Sequence, residues 1–150
     1  MLDRKSTKKP IGHIKKHLSL TINSTSEVKD EAYVQVLKQI IENPDEVKTK
    51  RGWDFFAILA SSYAPSNILF YSILNMLLFE IKHNLDHNIV QRANYIFVRL
   101  VKSFENPRKY IPSEKEINHI EVKNLSNIIK IKIIYYILNY TLPYIFIVTI

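Results

Sequence analysis

His83 and His87 stand four residues apart at the end of an apolar run, with Asp86 between them. Imidazoles at that spacing share one helix face, and with the carboxylate they make a weak candidate metal site. No third and fourth ligand of fitting spacing accompanies them. The chain has no cysteine, which excludes disulfides and thiolate metal sites. It also has no P-loop, nucleophile elbow or dinucleotide fingerprint, so no enzyme chemistry and no cofactor is expected. One other set of charges stands out. Lys5, Lys8, Lys9, Lys15 and Lys16 form a basic cluster suited to a polyanion, such as an acidic protein tail or anionic lipid.

The elements that position these groups follow from composition. The 150 residues make one domain with tails, long enough to bury a core. Two glycines and six prolines leave little turn chemistry for an all-β fold, while runs of Leu, Ile, Lys, Glu and Asn favour helices. The net charge of +7 lies in the ends: residues 1–17 carry +5, whereas residues 27–122 hold 12 basic and 13 acidic side chains. A near-neutral centre does not support a broad basic face, and no nucleic acid partner is expected.

The first 26 residues read as a basic, flexible arm, because Pro10 and Gly12 interrupt any early helix. No apolar run follows its charges, so it is no secretory signal. A first helix is predicted over about Glu27–Asn43, with Ala32, Tyr33, Val36, Leu37, Ile40 and Ile41 on one stripe. Ser24 and Glu27 stand in capping-box spacing before it, and Asn43-Pro44 stops it. Trp53–Tyr63 is apolar almost all round and belongs at the centre of a bundle. The only tryptophan stands beside one of the two glycines, Gly52, which predicts a fixed helix entry at Arg51-Gly52-Trp53 after a short charged link. Helices over about Asn67–His83, entered from Ser66, and Asn88–Phe104 follow. The latter has Gln91, Arg92, Arg99 and Lys102 on a wet face. Ser113 and Glu116 cap a short fifth helix that closes the bundle. The expected architecture is therefore all-α: a compact bundle of about five helices over residues 27–122, between the arm and an apolar tail.

The tail, residues 123–150, runs 18 residues without a charge after Lys132. That is the lower edge of a membrane span, and residues 133–150 are a candidate tail anchor weakened by Asn139, Thr141 and Pro143. Its Ile, Asn, Tyr and Lys content also fits translated A/T-rich non-coding DNA in a truncated gene model, and an extra buried helix is the third reading.

Four motifs occur in order. Lys29-Asp30-Glu31-Ala32-Tyr33-Val34-Gln35 with Lys38-Gln39 resembles the "RDE-Y-Q-KQ" helix of the myosin tail homology 4 domain. Arg51-Gly52-Trp53 resembles its "RGW", Pro65-Ser66 its "PS" helix break, and Arg108, Pro112-Ser113 and Glu116-Ile117 its "R-PS-EI" element. The family is the helical module of some unconventional myosin tails, a plant kinesin and a class of RhoGAP proteins. The resemblance covers about Glu27–Glu121. Residues 1–26 offer no counterpart to the family's upstream helices with their Met-Gly-Asp-like turn, and no FERM or RhoGAP domain follows.

The resemblance implies a non-catalytic, cytoskeleton-linked interaction module that contributes to microtubule or cargo binding, in the cytoplasm. Most motif residues would then serve the fold, above all Gly52, Trp53, Pro65 and Pro112, while Arg51, Arg108 and the Asp30-Glu31 pair would make a surface contact or a charged network between helices. The basic arm is the expected contact for acidic tubulin tails. The alternatives are a fragment of a RhoGAP-type regulator and a tail-anchored membrane protein with a cytosolic helical domain. The sequence assigns no oligomeric state.

Overall fold

The computed structural model describes residues 10–41 and 43–120. Among them the chain forms six helices and no strand: α1 (Pro10–Thr21), α2 (Ser26–Ile40), α3 (Glu46–Ser62), α4 (Asn67–His83), α5 (His87–Glu105) and α6 (Glu114–Ile120). The fold is all-α and compact, as composition required. Lys5, Lys8, Lys9 and the tail from residue 121 onward lie outside the described residues.

α3 is the centre. It packs against α2 on one side and α5 on the other, α4 lies on α5, and α6 closes back onto α3. Nine of its residues are buried, among them the run Phe56 to Ser62. A helix with almost no polar face in its second half has only this placement available. Its neighbours contribute Tyr33 and Val36 from α2, Ile73, Leu74 and Leu77 from α4, and Ile96, Phe97 and Leu100 from α5. Burial of each such side chain contributes roughly 1.5–3 kcal/mol. Phe70 of α4 and Phe104 of α5 stack with centroids 4.0 Å apart, joining the outer pair of helices.

Four local expectations change. First, residues 10–21 are helical and dock on α2, so the stretch read as an arm supplies a sixth helix. Pro10 opens it, where a missing N–H costs nothing, and Gly12 sits in its exposed first turn. Leu18 and Ile22 are buried, and this apolar burial holds α1 against the bundle. Secondly, α3 begins at Glu46, so Arg51-Gly52-Trp53 lies within a helix and does not open one. Asp45 caps it, accepting the Lys48 N–H at 3.1 Å. The first two turns carry little apolar pattern because they extend past the core.

Thirdly, Ser24 does not cap α2. Its hydroxyl donates to the Thr21 carbonyl at 2.6 Å and closes α1 instead. Thr25 is the N-cap residue of α2 and makes no side-chain capping bond. Finally, Arg92 leaves the wet face of α5 and pairs with Asp54 of α3 at 3.1 Å, both half-buried. The Ser113–Glu116 capping box forms as expected. The Ser113 N–H donates to Glu116 Oε2 at 2.7 Å, and the Glu116 N–H to Ser113 Oγ at 3.3 Å.

Candidate functional site

The motif residues separate into those that tie the chain to itself and those that face outward. The tied ones converge on the C-terminal end of α3, whose last carbonyls have no partner within the helix. Tyr33 of α2, fully buried, donates its hydroxyl to the Tyr63 carbonyl at 2.6 Å. Ser103 of α5 donates to the Ala60 carbonyl at 2.6 Å. Arg108 donates to the Ser61 carbonyl at 3.4 Å and, at 3.0 Å, to Glu116 Oε1 of α6. Its positive charge also suits the negative end of the α3 dipole.

Asp30 Oδ1 accepts the Ser66 N–H at 2.7 Å, which fixes the turn in which Ser66 caps α4 through the Leu69 N–H. Pro65 and Pro112 are buried in their loops, and Trp53 is buried against Phe56. Burial pushes the Tyr33 phenol well up, with the nearby Tyr63 and Asp30 adding to it. It therefore stays a hydroxyl, and a donor, throughout the neutral range. Glu116 is held below the usual carboxylate range by the Ser113 N–H and then by Arg108.

Gly52 has a role of its own. A Cβ there would meet Ile40 Cγ1 at 3.0 Å and Gln39 Cβ at 3.5 Å. The two helices cross in near contact at this point, and the missing side chain allows it.

The outward residues are Glu31, Gln35 and Gln39 on α2 and Arg51 on α3, which line one open groove of about 740 Å³ between α1, α2 and α3. Lys38, also exposed, does not line it. Val28, Ala32, Val36 and Phe55 give the groove an apolar floor. His17 of α1 stands edge-on to Phe55 at 5.5 Å, and burial lowers its pKa. Its Nδ1 has no hydrogen-bond partner. Gln35 donates to Glu31 Oε1 at 2.6 Å. Arg51 has no ion-pair partner among the described residues.

Along the groove α2 and α3 run antiparallel. Gly52 lies against Gln39 and Ile40, while Tyr63 lies against Tyr33 and under the Lys29 ammonium. Glu27 and Glu31 therefore mark one end, and Lys48 and Arg51 the other. The groove is thus an apolar trough with charged ends and the His17 imidazole on its α1 side.

A second cleft, about 460 Å³, lies beside Trp53 and is lined by Asn43, Lys50, Asp86 and Arg92. The candidate metal residues do not converge. His83 packs on Phe79, His87 contacts Gln91, and Asp86 caps α5 through the Asn88 N–H. Among the described residues no group of three or more His, Cys, Asp or Glu side chains is placed to hold a metal ion. Lys15 and Lys16 lie on α1, where Lys16 is exposed. The sequence reading did not single out Ser103, His17 or Phe55. A serine inside the apolar stripe Leu100–Phe104 was the one visible signal; His17 and Phe55 matter through a ring contact made only once α1 docks on the bundle.

Comparison with known proteins gives a consistent result. The model of the MyTH4 domain family matches residues 14–119. The match begins inside α1, ahead of the motif resemblance at Glu27. The chain is 28% identical over 124 residues to unconventional myosin heavy chain 6 of Caenorhabditis elegans, covering 82% of this chain and 6% of that protein. It thus spans a small fraction of that protein's length. No solved structure matches it.

Proposed function

The chain belongs to the MyTH4 domain family, and from that premise we propose that it is a non-catalytic, cytoskeleton-linked interaction module that binds cargo protein through the α1–α2–α3 groove. One observation carries this reading. Of the motif residues, Asp30, Tyr33 and Arg108 tie the end of α3 and the turn after it, and Gly52 and Trp53 serve its packing, whereas Glu31, Gln35, Gln39 and Arg51 gather on a solvent-open apolar groove. Side chains that tie no other helix in place, at a site where apolar floor and polar rim meet, fit partner binding. The likeness to a myosin heavy chain favours partners on the cytoskeleton, in the cytoplasm.

A photo-crosslinking residue at Gln35, and one at Asn75 on the far face of α4, test it in extracts of the source cells. Adducts are expected from position 35 and not from position 75, and Arg51→Glu should remove them. Equal labelling at both positions, or none at either, would sink the reading.

Direct microtubule contact is a second reading, favoured by the basic cluster that begins at Lys5 and continues onto α1 at Lys15 and Lys16. Tubulin tails are acidic, so attraction through these lysines would be salt-sensitive. The chain should pellet with microtubules at physiological salt and cease to do so when all five lysines become glutamine. Failure of the parent chain to pellet removes this reading and leaves the groove untouched. Neither a RhoGAP role nor a membrane anchor gains an observation. No helix among the described residues is long and apolar enough to cross a membrane, and residues 133–150 lie outside them.

A further inference from the structure

We infer that the groove takes an amphipathic helix of a partner protein in one direction, with its acidic N-terminal turn at Lys48 and Arg51 and its basic C-terminal turn at Glu27 and Glu31. The inference rests on the docking role just proposed and adds the form and polarity of the occupant.

Form follows from the walls. All three are helices whose backbone groups are bonded internally, so the groove has no strand edge on which an extended peptide could complete its own hydrogen bonds. An extended segment laid over Val28, Val36 and Phe55 would leave its amides unpaired on an apolar floor, whereas a helix arrives with them satisfied. Length agrees. Glu27 and Gln39 lie twelve positions apart on α2, about 18 Å at 1.5 Å per residue, which accommodates about three turns of a second helix.

Polarity follows from the charges. Arg51 has no ion-pair partner among the described residues, and Lys48 holds only the exposed Asp45. At the other end, Glu31 accepts a neutral amide from Gln35, and Glu27 has no ion pair among the described residues. The groove is therefore negative where α2 begins and positive where it ends, with the Gln35 and Gln39 amides between. Helices commonly carry acidic residues in the first turn and basic ones in the last. Such a helix matches both ends only when it lies antiparallel to α2. In the opposite direction each end brings like charges together, which selects against it.

The test uses two hydrocarbon-stapled peptides of fourteen residues and identical composition, with leucines on one face. One carries glutamates in its first turn and lysines in its last; the other carries the reverse. The staple holds both equally helical, which circular dichroism verifies. Binding to the whole 150-residue chain is read by fluorescence anisotropy at physiological salt. The acidic-first peptide should bind about tenfold tighter, a difference of about 1.4 kcal/mol. The double variant Arg51→Glu with Glu31→Lys should invert the order of the two peptides, an outcome that unfolding cannot imitate.

Equal affinity, a preference that survives the charge swap, or no binding by either peptide would overturn the inference. So would a chain that self-associates in sedimentation and loses this with Arg51→Glu, because the occupant would then be a second copy. If the peptides fail while position 35 still yields adducts, the docking face stands and the helical, oriented occupant falls. If the adducts fail too, the docking role falls with it.

Discussion

Tyr33 joins two parts of the chain thirty residues apart through a single hydroxyl, buried completely and bonded to the Tyr63 carbonyl. Tyr33→Phe keeps the ring and its edge contacts to Phe56 and Tyr63 but leaves that carbonyl without its donor. The expected loss is about 1–3 kcal/mol in urea unfolding, with the slope unchanged. Ser103→Ala removes the parallel bond to Ala60 and should cost about 1 kcal/mol. His17 behaves differently because burial favours its neutral form. The unfolded chain then binds more protons, so the contribution is present above the unfolded value of about 6.5 and is lost as pH falls through the lower folded value. Between pH 7.5 and pH 5 the parent chain should lose more thermal stability than His17→Phe. Parallel melting curves for the two proteins would refute this.

At the scale of elements, the crossing of α2 over α3 is set by Gly52. Gly52→Leu must push Ile40 and Gln39 away and should destabilise by about 1–3 kcal/mol. Gly52→Ala gains about 1 kcal/mol of helix propensity against a 3.0 Å contact with one partly buried side chain, so its net change should be well below that of Gly52→Leu. The helix starts follow a repeated device: Asn43 Oδ1 accepts the Asp45 N–H, and Asn84 Oδ1 accepts the Asp86 N–H, each aspartate then capping the next helix. Replacing Asp45 or Asp86 by alanine should each cost about 1 kcal/mol. The resulting shift in melting temperature would be about 3–4 °C for a domain of this size. The charged turns after Asp45 concealed a helix because periodicity reports burial, and those turns bury little. Motif identity was fully legible; the division of Asp30 from Glu31, one tied to Ser66 and the other open to a partner, was not.

For the molecule as a whole, α3 is enclosed by its neighbours while α1 rests on the bundle through few buried side chains, chiefly Leu18 and Ile22. Local opening should therefore begin at α1, with its amides exchanging well before those of α3 in native-state hydrogen exchange. Since His17 and Thr21 of α1 form one wall of the groove, that opening also changes the proposed docking site. A bound helix should accordingly slow exchange in α1 more than in α4. Uniform protection would mean that binding lies elsewhere.

The sequence by itself determined the class of fold, the identity of the central helix, the short closing helix with its capping box and the family of the domain. These depend on composition, on apolar periodicity and on motifs whose order survives translation into any structure. Only the tertiary structure decided that residues 10–21 fold onto α2, that Gly52 serves a helix crossing, that Arg92 bridges to Asp54, and that four motif residues share a groove. The physical reason is common to all four. Each depends on which surface is covered by a distant element, and coverage is a property of packing that local spacing does not encode.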